Sequence, residues 1–334
     1  MHRHVRLPAI SRICLALVTT MAGSAAALGA SWKPSEPVEV VVGVSPGGAM
    51  DRTARTVHRS LVRSGAIPKT SFVSNKPGGG HAVAYAYTIN QRGKPHVIQV
   101  ANSPLITNNL MGRSPIRHTD VTPLAVIFQE TMVYAVKDDS TVKDARDLFD
   151  RLKKDVTSLS FSVSSGLGTA NYFTATQVAH AAGADNRKLK VVSFAGAAEG
   201  VTATLGGHVD VVITTPSALA PHVKAKKLRV IATAADERLG GLFADVPTWK
   251  EMKVDSSLAL WRAIVGPPGL SAEQAAYWES ALKAMTSTDE WKKELEQEFL
   301  TPRFLGRTET TAFLASEENR FRAHFAEFGI LKQK

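Results

Sequence analysis

The amino-acid sequence predicts an α/β fold with two doubly wound sheets and two crossover strands between them. β-Branched apolar runs alternate with segments of helical periodicity along most of the 334 residues. Several runs end in turns rich in glycine, serine or asparagine, and open α/β sheets bind ligands at such strand ends. Apolar stretches at 123–136 and 259–265 interrupt the alternation and fit strands that pass between domains. Because the chain would cross twice, we expect a hinge there.

The first thirty residues have the three-part pattern of a secretory signal peptide. Arg3, Arg6 and Arg12 precede an apolar run at 13–22, and small residues follow it. The run is about ten residues long, whereas a membrane-spanning helix needs ~20. We therefore expect residues 1–30 to be cleaved on export, with the cut after Ala30 and a second choice after Ala27.

Composition narrows the classes of partner. The sole cysteine, Cys14, lies in the leader, so the exported chain has no disulfides and no cysteine zinc site. The formal net charge is +10, or about +7 without the three leader arginines. The basic residues are scattered and no aromatic residues are interleaved with them, so we expect no nucleic-acid partner. A mild positive field suits a small anionic ligand.

The first strand, with the turn and helix after it, is the stretch around which the chain is organised. Val38 to Val42 is typical of a buried strand, and Ser45 to Gly48 form a tight turn. A helix begins at Asp51, with Ala54, Val57 and Leu61 on one face. Free backbone N–H groups at a helix N-terminus attract anions. Asp51 either complements the helix dipole or lines the pocket and orients a second ligand group.

Further strands end in similar turns along the chain. In the first half, a strand at 69–74 enters the turn 75–80, and a strand at 96–101 ends at Asn102 and Ser103. In the second half, strands at 159–163, 190–194, 209–213 and 228–232 alternate with helices. After residue 271 we expect only helices, which pack on the first domain. Capping boxes at Ser271 with Gln274 and at Ser287 with Glu290 start two of them.

Two local motifs partly match the signatures of enzymes. Gly43 to Gly47 matches the G-x-S-x-G nucleophile elbow, so a secreted serine hydrolase that uses Ser45 is the main alternative. Pro46 argues against it, because the residue after the nucleophile must donate its N–H to the oxyanion. Gly166 to Asn171 only half-matches a dinucleotide fingerprint. The histidines lack metal-ligand spacing, so we expect no metal, no cofactor and no catalytic residues.

Five motifs in order resemble those of the solute receptors of tripartite tricarboxylate transporters, also called the Bug family. They are S-P-G-G-A-M-D-R-T-A-R at 45–55, N-K-P-G-G-G at 75–80, the turn at 164–169, L-G-G-H-V-D at 205–210 and D-V-P-T at 245–248. The likeness covers essentially all of the chain after the leader. Each motif is weak alone, but their shared order behind an export signal makes the resemblance specific.

The resemblance implies a periplasmic, non-enzymatic receptor with the two-lobed periplasmic-binding-protein fold (Venus-flytrap, type II-like). Residues 31–129 and 255–334 would form lobe 1, and 130–254 lobe 2. Such a receptor binds a small organic carboxylate and delivers it to the membrane permease subunits of a tripartite transporter. We expect a monomer. An orphan carboxylate receptor that feeds a sensor system is the alternative within this class.

The resemblance also implies which residues face the ligand, mostly through backbone N–H groups and small hydroxyls. In lobe 1 they are Ser45, Gly47, Gly48, Asp51, Asn102 and Ser103, and in lobe 2 they are Ser164, Ser165, Gly168, Thr169, Asn171, Thr214 and Thr215. The same strand ends carry no dedicated arginine in the sequence pattern. The identity of the carboxylate is left open.

Overall fold

The strands of the chain form two mixed sheets. The computed structural model describes residues 32–47, 49–164, 169–194, 196–254, 256, 260–327 and 331. The first sheet contains β1 (Glu39–Val42), β2 (Phe72–Asn75), β3 (Val97–Ala101), β4 (Thr122–Glu130), β10 (Leu260–Gly266) and β11 (Thr301–Leu305), in the order β11-β4-β10-β3-β1-β2. The second contains β5 (Val133–Lys137), β6 (Ser160–Ser164), β7 (Lys190–Phe194), β8 (Val211–Thr214) and β9 (Leu228–Thr233), in the order β7-β6-β8-β5-β9. The signal peptide expected at 1–30 lies outside the described residues.

Helices connect and cover the strands. They are α1 (Ala49–Arg63), α2 (Ala82–Asn90), α3 (Pro104–Leu110), α4 (Ala145–Lys154), α5 (Ala170–Ala181), α6 (Ala197–Leu205), α7 (Pro216–Lys224), α8 (Ala272–Thr286), α9 (Asp289–Gln297) and α10 (Arg307–Glu327). Ser271 and Gln274 form the expected capping box of α8. The cap of α9 is Thr288 rather than Ser287, since the Thr288 hydroxyl accepts the Trp291 N–H. Within the described ranges, no helix combines the length and apolarity that crossing a membrane requires.

The carboxyl ends of the parallel strands meet at one edge of the first sheet. β1, β2 and β3 are parallel, and β10 is antiparallel to both β3 and β4. β4 therefore runs with β1, β2 and β3, and it ends at the same edge, at Glu130. The glycine turns predicted after β1 and β2 lie at this edge too, because each directly follows its strand.

The second sheet has the matching arrangement. β6 is parallel to β7 and β8, while β5 is antiparallel to β8 and β9. β5 therefore begins at the edge where β8 and β9 end. Only Thr131 and Met132 separate the end of β4 from the start of β5. The edges at which β4 and β8 end, one in each sheet, consequently meet at this crossover.

The expectation that only helices follow residue 271 is wrong, because β11 pairs antiparallel with β4 at the edge of the first sheet. The strand is short, and it contains Pro302, which lacks a ladder donor. Thr301 and Pro302 are exposed, so the run has no apolar alternation that would reveal a strand. Proline and polar residues are tolerated here because an edge strand pairs on one side only.

Helix α10, which follows β11 of the first sheet, packs against α5, which follows β6 of the second sheet. Phe321 and Phe325 are buried, and both contact Phe173. The rings of Phe173 and Phe325 stack with their centroids 4.9 Å apart. This apolar contact joins the helix layers of the two sheets on one side of the crossover. The sequence pattern predicts that this helix ends at Phe328 with Gly329 as its cap, and both residues lie outside the described residues.

Candidate functional site

Asp51 organises the turn after β1. Its carboxylate accepts the Gly47 backbone N–H at 2.9 Å, the Arg55 Nε–H at 2.9 Å and the Asn75 Nδ2–H at 2.8 Å. Burial acts to raise the pKa of Asp51, but these hydrogen bonds outweigh it and lower the pKa to about 2. Both carboxylate oxygens are bonded within the protein, which favours a role in shaping the turn. Direct contact of Asp51 with a ligand stays a prediction.

The same bonds change what the turn offers to an anion. The Gly47 N–H, expected to face the ligand, donates to Asp51 instead. Asn75 also donates to the Val44 carbonyl at 2.9 Å, so the end of β2 holds the turn in place. Ser45 is exposed at the edge of the sheet. Gly48 lies outside the described residues.

The turn after β2 carries a half-buried histidine, His81, that sequence reasoning passed over. His81 has a φ of 75°, a left-handed conformation that few residues with a side chain adopt. Its Nδ1 is buried and has no hydrogen-bond partner among the described residues. Burial, with Arg262 nearby, lowers the pKa of His81 to about 4. A Cβ on Gly43 would lie 2.8 Å from this ring, so the β1 turn requires a glycine there.

Asn102 and Ser103 end β3 and precede α3. The Asn102 backbone N–H donates to the Tyr85 hydroxyl at 3.2 Å. The Tyr85 hydroxyl is also 3.3 Å from the Asn102 side-chain oxygen. Both predicted residues are half-buried, so they lie at the edge of the sheet without being exposed to solvent in full.

The predicted residues of the second sheet fall into two groups. Thr169 and Asn171 begin α5, where the Thr169 hydroxyl donates to the Asn171 oxygen at 2.5 Å and the Asn171 amide donates to the Ile213 carbonyl at 3.3 Å. Thr214 is buried at the end of β8, and Thr215 is half-buried beside it. Asn171 thus ties the start of α5 to the end of β8. Ser165 and Gly168 lie outside the described residues, and Ser164 is described only as the last residue of β6.

One small cavity is lined by residues from both sides of the crossover. Ala49 at the start of α1 and Ser217 in the first turn of α7 both line it. The rest of the wall comes from α1, α9, β4, β10 and the segment between α9 and β11, and consists of Arg52, Thr53, Thr56, Phe128, Glu130, Arg262, Trp291, Glu294, Leu295, Glu298 and Leu300. None of the predicted site residues that the structure describes is in this wall, although the Thr215 hydroxyl is 3.4 Å from that of Ser217.

The floor of the cavity holds a buried ion pair between the two crossover strands. Arg262 of β10 donates from Nη2 to Glu130 of β4 at 2.7 Å, and both side chains are under 10% exposed. Burial raises the pKa of Glu130, while Arg262 opposes that rise. The sequence pattern gave no arginine at the strand ends, because Arg262 is a single charge within an apolar run. In the described part of the chain, no group of three or more His, Cys, Asp or Glu is placed to hold a metal ion.

Comparisons with known proteins agree with the resemblance. The family model "Tripartite tricarboxylate transporter family receptor" (TctC) matches residues 54–330. The protein BugT of Bordetella pertussis is 23% identical over 313 residues, which cover 92% of this chain and 94% of BugT. Family members are receptors, so the expectation of a binding protein rather than an enzyme is confirmed, and the hydrolase alternative at Ser45 is set aside.

Solved structures show the same fold. The Rhodopseudomonas palustris protein Rpa4515, solved with adipate, has a TM-score of 0.77 at 20% identity, and the match covers 89% of this chain and 98% of that one. MatC from the same organism, solved with bound malate, has a TM-score of 0.72 at 18% identity, with 86% and 98% covered. The fold is therefore the two-lobed α/β fold of periplasmic binding proteins, as predicted. Since the family model spans more than half of the chain, this protein belongs to the tripartite tricarboxylate transporter receptor family.

Proposed function

We propose that this protein binds a small organic carboxylate in the periplasm and delivers it to the membrane permease of a tripartite transporter. The observation that carries the proposal is the cavity that Ala49 and Ser217 share. These residues begin helices that follow strands of different sheets, so one space lies against both ligand-binding edges. A functional group of a solute held there would contact both halves of the protein at once.

Backbone N–H groups supply the proposed carboxylate contacts. The first turn of a helix leaves N–H groups without helical partners, and the helix dipole favours an anion beside them. Hydrogen bonds to a charged group contribute on the order of 1.5–3 kcal/mol each. Micromolar affinity corresponds to about 8 kcal/mol, so a few such bonds suffice. Ser45 and Thr215 stand beside the two helix starts as hydroxyl donors.

We propose residues 31–129 with 255–334 and residues 130–254 as the two lobes that close on the ligand. Thr131 and Met132 would flex in the first crossover, since they lie between β4 and β5. The stacked rings of Phe173 and Phe325 bridge the same halves. Closure must keep or slide this contact, which favours a small rotation over wide opening.

Relatives support the class of ligand. Adipate and malate are the carboxylates in the two structures compared above. At 18% and 20% identity those structures speak for the fold, so they guide the choice of test compounds rather than name the ligand. Periplasmic export, the permease partner and a monomeric state complete the proposal.

A thermal-shift panel on the purified protein tests it. We expect at least one organic acid to raise the melting temperature, because a ligand that binds only the folded state stabilises it. The variant Ala49→Pro should keep the fold, since proline is tolerated at the first position of a helix, but it removes one N–H. We expect about tenfold weaker binding of that acid, as one charge-assisted hydrogen bond implies.

Ala272→Pro is the matched control. Ala272 is the exposed first residue of α8 and lies outside the cavity wall, so acid binding should be unchanged. Stabilisation by a neutral sugar and by no carboxylate would contradict the proposed function. Equal affinity of wild type and Ala49→Pro would move the site away from the start of α1.

A further inference from the structure

Two residues of the cavity wall carry buried hydrogen-bond donors without partners among the described residues. Arg262 Nε and Trp291 Nε1 have no acceptor among the residues that the structure describes. Arg262 is 6% exposed and Trp291 is 2% exposed, and both belong to the cavity wall. Leaving a buried N–H without an acceptor is unfavourable, and native proteins do so rarely. An acceptor brought into the cavity by a ligand would relieve both donors.

The other polar side chains of the wall already have partners. The Thr53 hydroxyl donates to the Ala49 carbonyl at 3.1 Å. Thr56 donates to Glu294 at 3.1 Å, and Ser217 contacts Thr215. The polar groups of the wall that lack a partner are therefore donors, and a ligand would have to supply an acceptor. The two donors lie on β10 and α9, far apart in sequence.

The charges of the wall are balanced without a ligand. Glu130 pairs with Arg262, Glu294 lies 3.4 Å from Arg59, and Glu298 lies 3.6 Å from Arg52. A second carboxylate in this space would stand beside Glu130 with no cation left to neutralise it. Like charges at close range in a partly desolvated site repel strongly. An uncharged oxygen satisfies the donors without that repulsion.

The backbone beside Arg262 has an irregularity of the kind that is common at functional sites. The register between β10 and β4 shifts between Arg262 and Ala263. Such bulges re-aim a side chain and are common beside functional sites. Arg262 is held in turn by Glu130 and by the Trp261 carbonyl, which accepts from Nη1 at 3.3 Å. The two Nη groups of the guanidinium are thereby held, while Nε has no acceptor among the described residues.

Size limits the group that can enter. The cavity holds about 40 Å³, and one water needs ~10–15 Å³ by the same measure. That is room for a few waters or for one small functional group of a ligand. The rest of the ligand must lie towards Ala49 and Ser217, where the two sheets face the same space.

We infer that this cavity is a second subsite, which takes an uncharged acceptor oxygen of the ligand through Arg262 and Trp291. The inference rests on the proposed function and sharpens it. The carboxylate would lie at the start of α1, and a carbonyl or hydroxyl oxygen further along the ligand would enter the cavity. The ligand class is then an oxo or hydroxy monocarboxylate rather than a dicarboxylate.

Calorimetry with matched acids tests this subsite. The probes are straight-chain acids of three to eight carbons. Each chain length is tested as the plain monocarboxylate, as the oxo acid with its carbonyl group near the end opposite the carboxylate, and as the dicarboxylate. At the chain length that binds most tightly, we expect the oxo acid to bind about tenfold more tightly than the other two. Trp291→Phe keeps an aromatic ring against Phe128 and should reduce this preference to about threefold or less.

Two further variants guard the result. Trp249→Phe removes the same kind of buried indole N–H outside the cavity wall, so it should leave the preference intact. Arg262→Lys keeps a cation for Glu130 but has no Nε–H in a fixed fork, so it too should lower the preference. It serves if Trp291→Phe does not fold.

The outcomes separate the two proposals. Wild-type protein that binds plain and oxo acids equally, or prefers the dicarboxylate, overturns the subsite and leaves the carboxylate receptor standing. An unchanged preference in both Trp291→Phe and Arg262→Lys overturns it as well. Failure of every acid to bind removes the proposed function, and the subsite falls with it.

Discussion

Helices α1 and α4 begin with the same local device in different settings. Asp51 and Asp147 are each the third residue of their helix. Each accepts a backbone N–H from four residues earlier, at 2.9 and 2.8 Å, and an arginine Nε–H from four residues later, at 2.9 and 3.0 Å. Hydrogen bonds from arginine and backbone lower the pKa of Asp147, as they do for Asp51.

The settings differ in their long-range contacts. The Asp51 side chain is 3% exposed, whereas that of Asp147 is 25% exposed. Asp51 also accepts the Asn75 amide from the end of β2, across the edge of the sheet. A spacing of four residues can be read from sequence, but the contact that turns an ordinary helix start into a fixed turn cannot. That contact distinguishes the turn beside the cavity from a solvent-exposed helix start.

The largest expected effect is on the stability of Asp51→Ala. This change removes the acceptor of the Gly47 N–H and one of the two acceptors of the Asn75 amide. We expect a loss of about 3 kcal/mol in the free energy of unfolding, measured by urea denaturation. Asp147→Ala is the control, and its loss should be about 1 kcal/mol because solvent can replace its bonds. Equal losses would show that burial and Asn75 add nothing to the local device.

Acidification should expose the same difference. The pKa of Asp51 is lowered from its ordinary value of 3.8 to about 2 in the folded state, because its burial is outweighed by hydrogen bonds to the carboxylate. A lowered pKa means that the carboxylate stabilises the fold above about pH 4 and that this contribution disappears as the pH falls towards 2. It amounts to about 2 kcal/mol, at ~1.4 kcal/mol per pKa unit. The free energy of unfolding, measured between pH 5 and 2.5, should therefore decrease less steeply with falling pH for Asp51→Asn than for the wild type.

Asn75→Ala isolates the long-range contact. It removes the bonds to Asp51 and to the Val44 carbonyl, at an expected cost of about 1–2 kcal/mol. In the Asn75→Ala background, Asp51→Ala should cost only about as much as Asp147→Ala does alone. A double-mutant cycle by urea denaturation measures the coupling. Full additivity would contradict the role given to Asn75.

Most of the fold could be predicted from the sequence. Strand runs, turn residues and the two crossovers follow from local patterning, and β4 and β5 divide the stretch 123–136 as expected. β11 was missed because an edge strand pairs on one side and needs no apolar alternation. The sequence pattern also predicts no helix directly after Ser103, whereas α3 begins at Pro104, because proline suits the first position of a helix.

The candidate site was predictable only in part. Turns at strand ends can be found from local composition, so Ser45, Thr214 and Thr215 fall at the edges where the sheets meet. Arg262 and Trp291 carry no such signal, because one lies in an apolar strand and the other on an amphipathic helix. They become candidate binding residues only because folding buries their N–H groups without acceptors. That burial depends on residues more than a hundred positions away, such as Glu130 and Phe128.

The smallest expected effect is that of Gly47→Ala, and it tests the conformation of the turn alone. Gly47 has a φ of 95°, which residues with a Cβ rarely adopt, while a Cβ there would meet nothing within 4 Å. The cost is therefore backbone strain, about 1 kcal/mol in the free energy of unfolding. Gly196→Ala is the matched control, since that position also has open space but an extended φ of −144°. Its stability should change by less than about 0.5 kcal/mol. A loss at Gly47 no larger than at Gly196 would mean that the turn relaxes freely, and that Asp51 fastens a flexible loop rather than one conformation.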